Sequence, residues 1–330
     1  MTALFLWPSP QKLQAKHFFG SGVTTEDIED QLRQLFPAAE PVLFSSARAG
    51  LSASLEHLGL TRPDLVWCPP FSSHCVFESI ARVATPNTES ERPPKVALIY
   101  HQWGYVVSSA FPAGTTIIED AVDTLLCPGA NPFAIGGRFA LWSLPKTIAS
   151  HWGGVVFCQS RDDAQNLRQI RALRPISSTA QALLRLAGER SHLAHLYWHG
   201  TEGAAGMLPT FALRQIQSCL NDLPEEVDAR QRRLAQLAPY SLVPLPSTPR
   251  LPCCLPLPVE LQPLGPLPSG HVLTVGLRSF NLAAIAPDVR WQRVFPAPIH
   301  QDTDGTHIAD SVAKIYSQPQ ISLHEPGIVR

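Results

Sequence analysis

Lysine occurs only at Lys12, Lys16, Lys95, Lys146 and Lys314. Four of these sit in polar or proline-flanked settings typical of a surface. Lys146 instead lies in Leu141-Trp142-Ser143-Leu144-Pro145-Lys146-Thr147-Ile148, between two apolar runs. A lysine withdrawn from water has a depressed pKa and becomes a usable amine nucleophile; a lysine at a strand end reaching solvent is the plain alternative. Glu119-Asp120 follow directly on Thr116-Ile117-Ile118. An acid at the C-terminal end of a sheet strand points into the crevice where α/β proteins bind ligands. A buried carboxylate needs a cation or hydrogen bonds, and a protonated ring nitrogen would serve; an acidic loop or helix cap is the bland reading. Third, Phe44-Ser45-Ser46-Ala47-Arg48-Ala49-Gly50-Leu51 runs from a strand through small polar residues into a helix. The N–H groups and dipole of that helix start suit a phosphate, as well as simple serine capping.

These residues need a scaffold to converge. From about 42 to 160 short apolar runs alternate with helical or loop segments, the α/β pattern. Strands are expected at Pro41–Phe44, Asp64–Cys68, Lys95–Tyr100, Thr115–Ile118, Arg138–Trp142 and Gly154–Cys158, apolar on both sides as in a sheet covered on both faces. Helices are expected at Ala49–Leu58, Asp162–Arg171, Thr179–Leu196, Pro209–Leu223 and Glu225–Leu237, from apolar spacings near 3.6. The proline-rich stretch 244–268 excludes regular helix and central strand, and reads as a linker or an extended surface segment. A strand at His271–Leu277 and a helix at Thr306–Tyr316 follow. The expectation is a large α/β domain over 1–205, N-terminal arm included, then a smaller α+β domain over 206–330.

The 330 residues carry a net charge of −1 with both signs interspersed, which gives no footprint for nucleic acid or anionic membrane. No apolar run approaches the roughly 18–20 residues of a spanning helix, and the N-terminus lacks the basic and small-residue features of a signal peptide. The seven cysteines are scattered, without zinc-ligand spacing, and fit free thiols in a reducing cytoplasm; no metal is expected. The histidines, His101 and His151 among them, and the tryptophans Trp7, Trp103, Trp142 and Trp152 read as structural.

The order of the motifs, phosphate-type turn, strand with terminal acid, then lysine, resembles the DegT/DnrJ/StrS-type sugar aminotransferases of the fold-type-I pyridoxal-phosphate (PLP) transferases. Ser46-Ala47-Arg48-Ala49-Gly50-Leu51 is similar to the family's S-G-[TR]-x-A-L turn, and Trp67-Cys68-Pro69-Pro70-Phe71-Ser72 to its V-x-V-P-x-[YF]-T strand end. Ile99-Tyr100-His101-Gln102-Trp103-Gly104 looks like V-x-H-x-x-G, and Ile117-Ile118-Glu119-Asp120-Ala121 matches V-I-E-D-A. Ser143-Leu144-Pro145-Lys146-Thr147 followed by Gly153-Gly154-Val155-Val156 resembles the S-x-x-K-T…G-G block. The likeness is good over about 40–160 and faint beyond.

The resemblance implies a seven-stranded, mostly parallel sheet with helices on both faces, a homodimer with the site at the subunit interface, and amino transfer from glutamate or glutamine to a nucleotide-linked keto-sugar. It implies that Lys146 carries the cofactor covalently and that Asp120 pairs with its ring nitrogen. Backbone groups of Ala47 and Arg48, with the Ser143 hydroxyl, would hold the phosphate. The chain departs from the pattern at Ala47 (usually Gly), at Ser73, where the ring-stacking aromatic belongs and for which His74 or Phe71 is the substitute, and at Asp123, usually Gln or His. A non-catalytic regulatory or scaffold protein on the same fold, or a PLP enzyme of another reaction type, are the alternatives.

Overall fold

The computed structural model describes residues 2–19, 22–89, 92–108, 110–174, 183–184, 186–187, 207–246, 249–261, 271–273, 276–281, 291–303, 308 and 310. In chain order its first elements are β1 (Thr2–Leu4), α1 (Ala15–Phe18), α2 (Thr25–Leu35), β2 (Glu40–Phe44), α3 (Ala47–His57), β3 (Leu65–Trp67), α4 (His74–Ala81), β4 (Thr85–Asn87) and β5 (Val96–Tyr100). Then come β6 (Thr116–Asp120), β7 (Thr124–Leu126), β8 (Phe139–Ser143), α5 (Leu144–Thr147), β9 (Gly154–Cys158) and α6 (Arg161–Leu173). The remainder holds α7 (Thr210–Asn221), α8 (Leu223–Leu237), β10 (Arg250–Pro252), β11 (Cys254–Leu257), β12 (His271–Leu273), β13 (Arg278–Asn281) and β14 (Trp291–Pro298).

Seven strands form one sheet in the order β2-β9-β8-β6-β5-β3-β4. Only β9 runs against its neighbours; the other pairs are parallel. Successive side chains of a strand face opposite ways, and here both ways lead into apolar cores. Leu43, Trp142, Val155 and Phe157 pack with Ile28 and Leu32 of α2, Ile216 of α7 and Leu234 of α8. Val42, Phe44, Leu98, Ile118, Leu141 and Val156 pack on the other face with Leu51 and Leu55 of α3, Ile80 of α4 and Leu167 of α6. This is why the strands read as unbroken apolar runs. The first of these cores draws on residues from both sides of the expected boundary at 205/206.

Six expected strands lie where the apolar runs placed them. The sequence reading left several elements unassigned, among them α2, α4, β4, β7, β13 and β14: β4 is Thr-Pro-Asn at the sheet edge, too short and polar to stand out. The expected helices at Thr179–Leu196 and Thr306–Tyr316 lie outside the described residues, or nearly so.

The proline-rich stretch requires a correction. Its residues 250–257 are buried rather than lying on the surface. β10 pairs antiparallel with β7, and β11 with β14. The prolines survive because these are edge strands: β11 borders the sheet β11-β14-β13, and β10-β7 is a two-stranded ribbon. An edge leaves one row of N–H positions outside the ladder, and that is where a residue without an N–H fits.

Candidate active site

β2, β8, β6 and β5 run in the same direction, so their C-terminal ends lie along one edge of the sheet. Register fixes who stands beside whom. Phe44 and Ser143 both pair with Gly154, while Asp120 lies between Leu141 and Tyr100.

The turn after β2 is built by close approach. Ser46 caps α3, its hydroxyl accepting from the Ala49 N–H at 3.2 Å. Gly153 N–H donates to Ser45 O at 3.0 Å. Gly153 has φ +101°, a left-handed conformation that glycine tolerates. At Gly154 an added Cβ would sit 1.9 Å from the Ala47 nitrogen. The glycine pair therefore lets β9 begin directly beneath the start of α3, bringing Ala47 and Arg48 to the strand-end edge that also carries Ser143.

Lys146 sits on α5, a single turn that begins right after β8. Pro145 in its first turn fits a position whose N–H is unneeded, and the Thr147 hydroxyl donates to Ser143 O at 2.8 Å. Behind the turn, the buried Arg230 donates to Thr147 O at 3.2 Å and to the Cys253 sulfur at 3.3 Å, and pairs with Glu226 at 2.7 Å. The Cys253 thiol donates to Lys146 O at 3.6 Å.

Strand alternation sends Glu119 and Asp120 opposite ways. Glu119, fully buried, accepts from the N–H groups of Ala134 (2.6 Å) and Gly137 (2.7 Å) and faces His101 Nε2 at 2.8 Å. Burial pushes its pKa up, but His101 and those N–H groups outweigh it and hold the carboxyl below its ordinary value. Glu119 thus pins the 134–137 loop and is not part of the site. Asp120 is also buried, and accepts from Val122 N–H at 3.2 Å. Burial, reinforced by the charge of Asp123 and opposed by Lys146, lifts its pKa to about 7.

The amine of Lys146 does not stand free. It donates to Asp123 Oδ1 at 2.8 Å, while the Tyr100 hydroxyl donates to the other carboxylate oxygen, Asp123 Oδ2. The indole of Trp7, from the N-terminal arm, lies over the same amine with its centroid 4.6 Å away. This corrects the expectation of a depressed lysine pKa. Burial does work to lower it, but the charge and hydrogen bond of Asp123, with Asp120 behind them, raise it above the ordinary lysine value.

His74 is exposed at the start of α4, and Phe71 packs edge-on against Trp291 at 4.7 Å. Sequence reasoning missed Tyr100, Arg230 and the Cys253 contact, and it assigned Trp7 to packing alone. The one signal available for Tyr100 was its position at a strand end, next to His101. Among the described residues no group of three or more His, Cys, Asp or Glu could hold a metal ion, and no helix is long and apolar enough to cross a membrane.

A family model described as "Putative PLP-dependent aminotransferase" matches residues 28–241, well over half of the chain. The chain belongs to that family. Among solved structures it is similar to Helicobacter pylori PseC, an aminotransferase involved in the biosynthesis of pseudoaminic acid (13% identity, TM-score 0.63, covering 96% of this chain and 99% of that one). It is also similar to a DegT DnrJ EryC1 StrS aminotransferase from Brucella abortus (16%, TM-score 0.55, 89% and 90%). A third is DesI in the presence of its TDP-sugar product (15%, TM-score 0.58, 90% and 84%). At such identities the likeness shows the fold, that of the type I PLP transferases. No curated protein sequence matches the chain.

The residues present fit PLP. Among the described residues, Asp120 is a buried carboxylate with its pKa raised by burial, a single N–H donor and no ion pair, so a protonated ring nitrogen would supply a partner. A lysine and an eleven-residue helix start border the same strand-end edge, as an aldehyde and a phosphate require.

Proposed function

We propose that this aminotransferase moves an amino group from glutamate or glutamine to a keto-sugar carried on a nucleotide, working as a cytoplasmic homodimer. The observation that carries the reading is the buried carboxylate of Asp120, its pKa raised by burial, on the strand-end edge that also bears Lys146 and the start of α3. The sugar class is supported by the names of the similar structures, PseC acting in pseudoaminic acid biosynthesis and DesI with a TDP-sugar product.

The roles follow from placement. Lys146 is the residue for covalent attachment of the cofactor and, once released, for moving a proton to and from the substrate carbon. Asp120 holds the ring nitrogen protonated. The N–H groups of Ala47 and Arg48 and the Ser143 hydroxyl receive the phosphate. His74, at the exposed mouth of α4, is assigned to the cofactor's rim. Bound PLP supplies an electron sink that stabilises the carbanion at the substrate carbon. The buried Leu141, beside Asp120 in the sheet, helps keep water from the ring.

The test is a half-reaction. Holoenzyme mixed with glutamate or glutamine should lose its PLP visible band and release the matching 2-oxo acid. Addition of a nucleotide-linked keto-sugar should restore the band and yield the aminated sugar. Failure of every amino donor to change the spectrum of a PLP-loaded protein would sink the reading.

A further inference from the structure

Two carboxylates, not one, stand by the amine of Lys146. Asp123 is in direct contact with it, and its side chain is only 1% exposed. One of its oxygens takes the Lys146 ammonium at 2.8 Å and the other takes the Tyr100 hydroxyl. Tyr100 lies directly across from Asp120 in the β5–β6 register. The carboxylate is thus clamped from β5 and cannot swing away from the lysine without losing a buried hydrogen bond. The family's motif places Gln or His here, and neither presents a fixed negative charge.

We propose that Asp123, held by Tyr100, is a positioning residue that governs the protonation of the Lys146 amine and so the pH at which that amine becomes a nucleophile. Attachment to a carbonyl needs the free amine: the ammonium gives up a proton, the nitrogen bonds to carbon, and the carbonyl oxygen leaves as water. An adjacent fixed anion favours the ammonium and delays the first step to higher pH.

Several groups act on Lys146 from the elements packed around it. Asp120 lies on β6 and adds to the effect of Asp123, while Cys75 on α4 acts in the same direction. Tyr100 is on β5. Cys253, just before β11, and Cys254, at its start, have thiols pushed up by burial, Cys253 to about 11, and so are neutral at neutral pH. The buried Arg230 on α8 is paired with Glu226. Trp7 contributes a ring face. Among the described residues, only Asp123 is in hydrogen-bond contact with the amine.

The consequence for cofactor loading rests on the reading of Lys146 as the cofactor-bearing amine, but the titration can be measured apart from it. The full-length chain, freed of PLP by dialysis against hydroxylamine, is pulse-labelled with acetic anhydride across pH 6 to 12. Labelling of each lysine is then read by peptide mass spectrometry (about seven pH points suffice for a midpoint). In the wild type the midpoint for Lys146 should lie at or above that of the exposed Lys12, although burial alone would place it below. In Asp123→Asn the midpoint should fall by about 1 to 3 pH units, the range typical for loss of an adjacent opposite charge. Asp123→Glu should bring it back toward wild type. In parallel, borohydride fixation of added PLP at neutral pH should be more complete in Asp123→Asn than in wild type.

A wild-type midpoint below that of Lys12, or an Asp123→Asn midpoint shifted down by less than about 1, overturns the inference. The wild-type comparison stands even if the variant does not fold. Should PLP fail to bind while the amine titrates as stated, the functional reading falls and this inference survives.

Discussion

Asp123 Oδ1 and Lys146 Nζ are 2.8 Å apart, joined across 23 residues of chain by the turn after β6 and the turn after β8. Each turn follows a strand of the same sheet, and β6 and β8 are adjacent and parallel. The pairing is therefore a product of topology, with Tyr100 on the next strand completing it.

The first expected outcome concerns Lys146→Ala. The side chain is about one-third exposed and makes one ion pair. Breaking a buried pair costs about 3–5 kcal/mol, and partial exposure reduces that to about 1–3 kcal/mol. The variant should fold, shown by a native near-UV circular dichroism spectrum, yet take up no borohydride-fixable PLP and lack transamination activity. Full activity would remove Lys146 from the account.

Asp120→Asn tests the ring partner. An amide cannot hold the ring nitrogen protonated, so the variant should keep some PLP but lose turnover by about 100-fold or more, the scale of a misplaced proton-handling group. Wild-type kcat in this variant would contradict the assignment.

Asp120 also sets a pH dependence of stability. Its folded pKa is about 7, against about 3.9 in an unfolded chain. The folded state thus holds the proton more tightly. The stabilisation is complete below pH 4 and lost as pH rises toward 7, on the order of 4 kcal/mol in total. In cofactor-free protein, denaturant midpoints should drop over that window more steeply for wild type than for Asp120→Asn. Bound PLP, by supplying a cation, should flatten the wild-type slope. Parallel slopes for the two cofactor-free proteins would argue against a buried, strained carboxylate.

The sheet was legible because both faces of its strands are buried, which leaves unbroken apolar runs such as Val96–Tyr100 and Gly154–Cys158. Lys146 and Asp120 were legible because each breaks an apolar run at its C-terminal end. The roles of their neighbours were not. Nothing in Glu119-Asp120 says which acid faces the site; strand alternation and the 134–137 loop decide it. The lysine's protonation is not legible in sequence, because burial alone points to a lowered pKa and Asp123 reaches Lys146 only through the fold. The buried β10 and β11 were hidden by their prolines, since edge pairing cannot be read from a single strand. Trp7 and Arg230 come to the site from 139 residues upstream and 84 residues downstream of Lys146 respectively, spans that local patterns do not cover.

Gly154→Ala probes the phosphate turn. With the new Cβ 1.9 Å from the Ala47 nitrogen, the turn or β9 must shift. Overpacking of this kind costs about 1–3 kcal/mol, and PLP should bind at least about tenfold more weakly, a loss of roughly 1.4 kcal/mol. Gly114→Ala, where nothing lies within 4 Å of the added carbon, is the comparison for strain alone, since its φ is +90°. Unchanged PLP affinity in Gly154→Ala would separate the helix start from the phosphate.

The most direct test of the central claim is to incubate the purified chain with PLP, reduce with borohydride and map the modified peptide. The account expects uptake of one PLP per chain, fixed on the peptide bearing Lys146, with Asp120→Asn retaining the same attachment site. Fixation on another lysine, or no uptake by a folded wild-type protein, would contradict it.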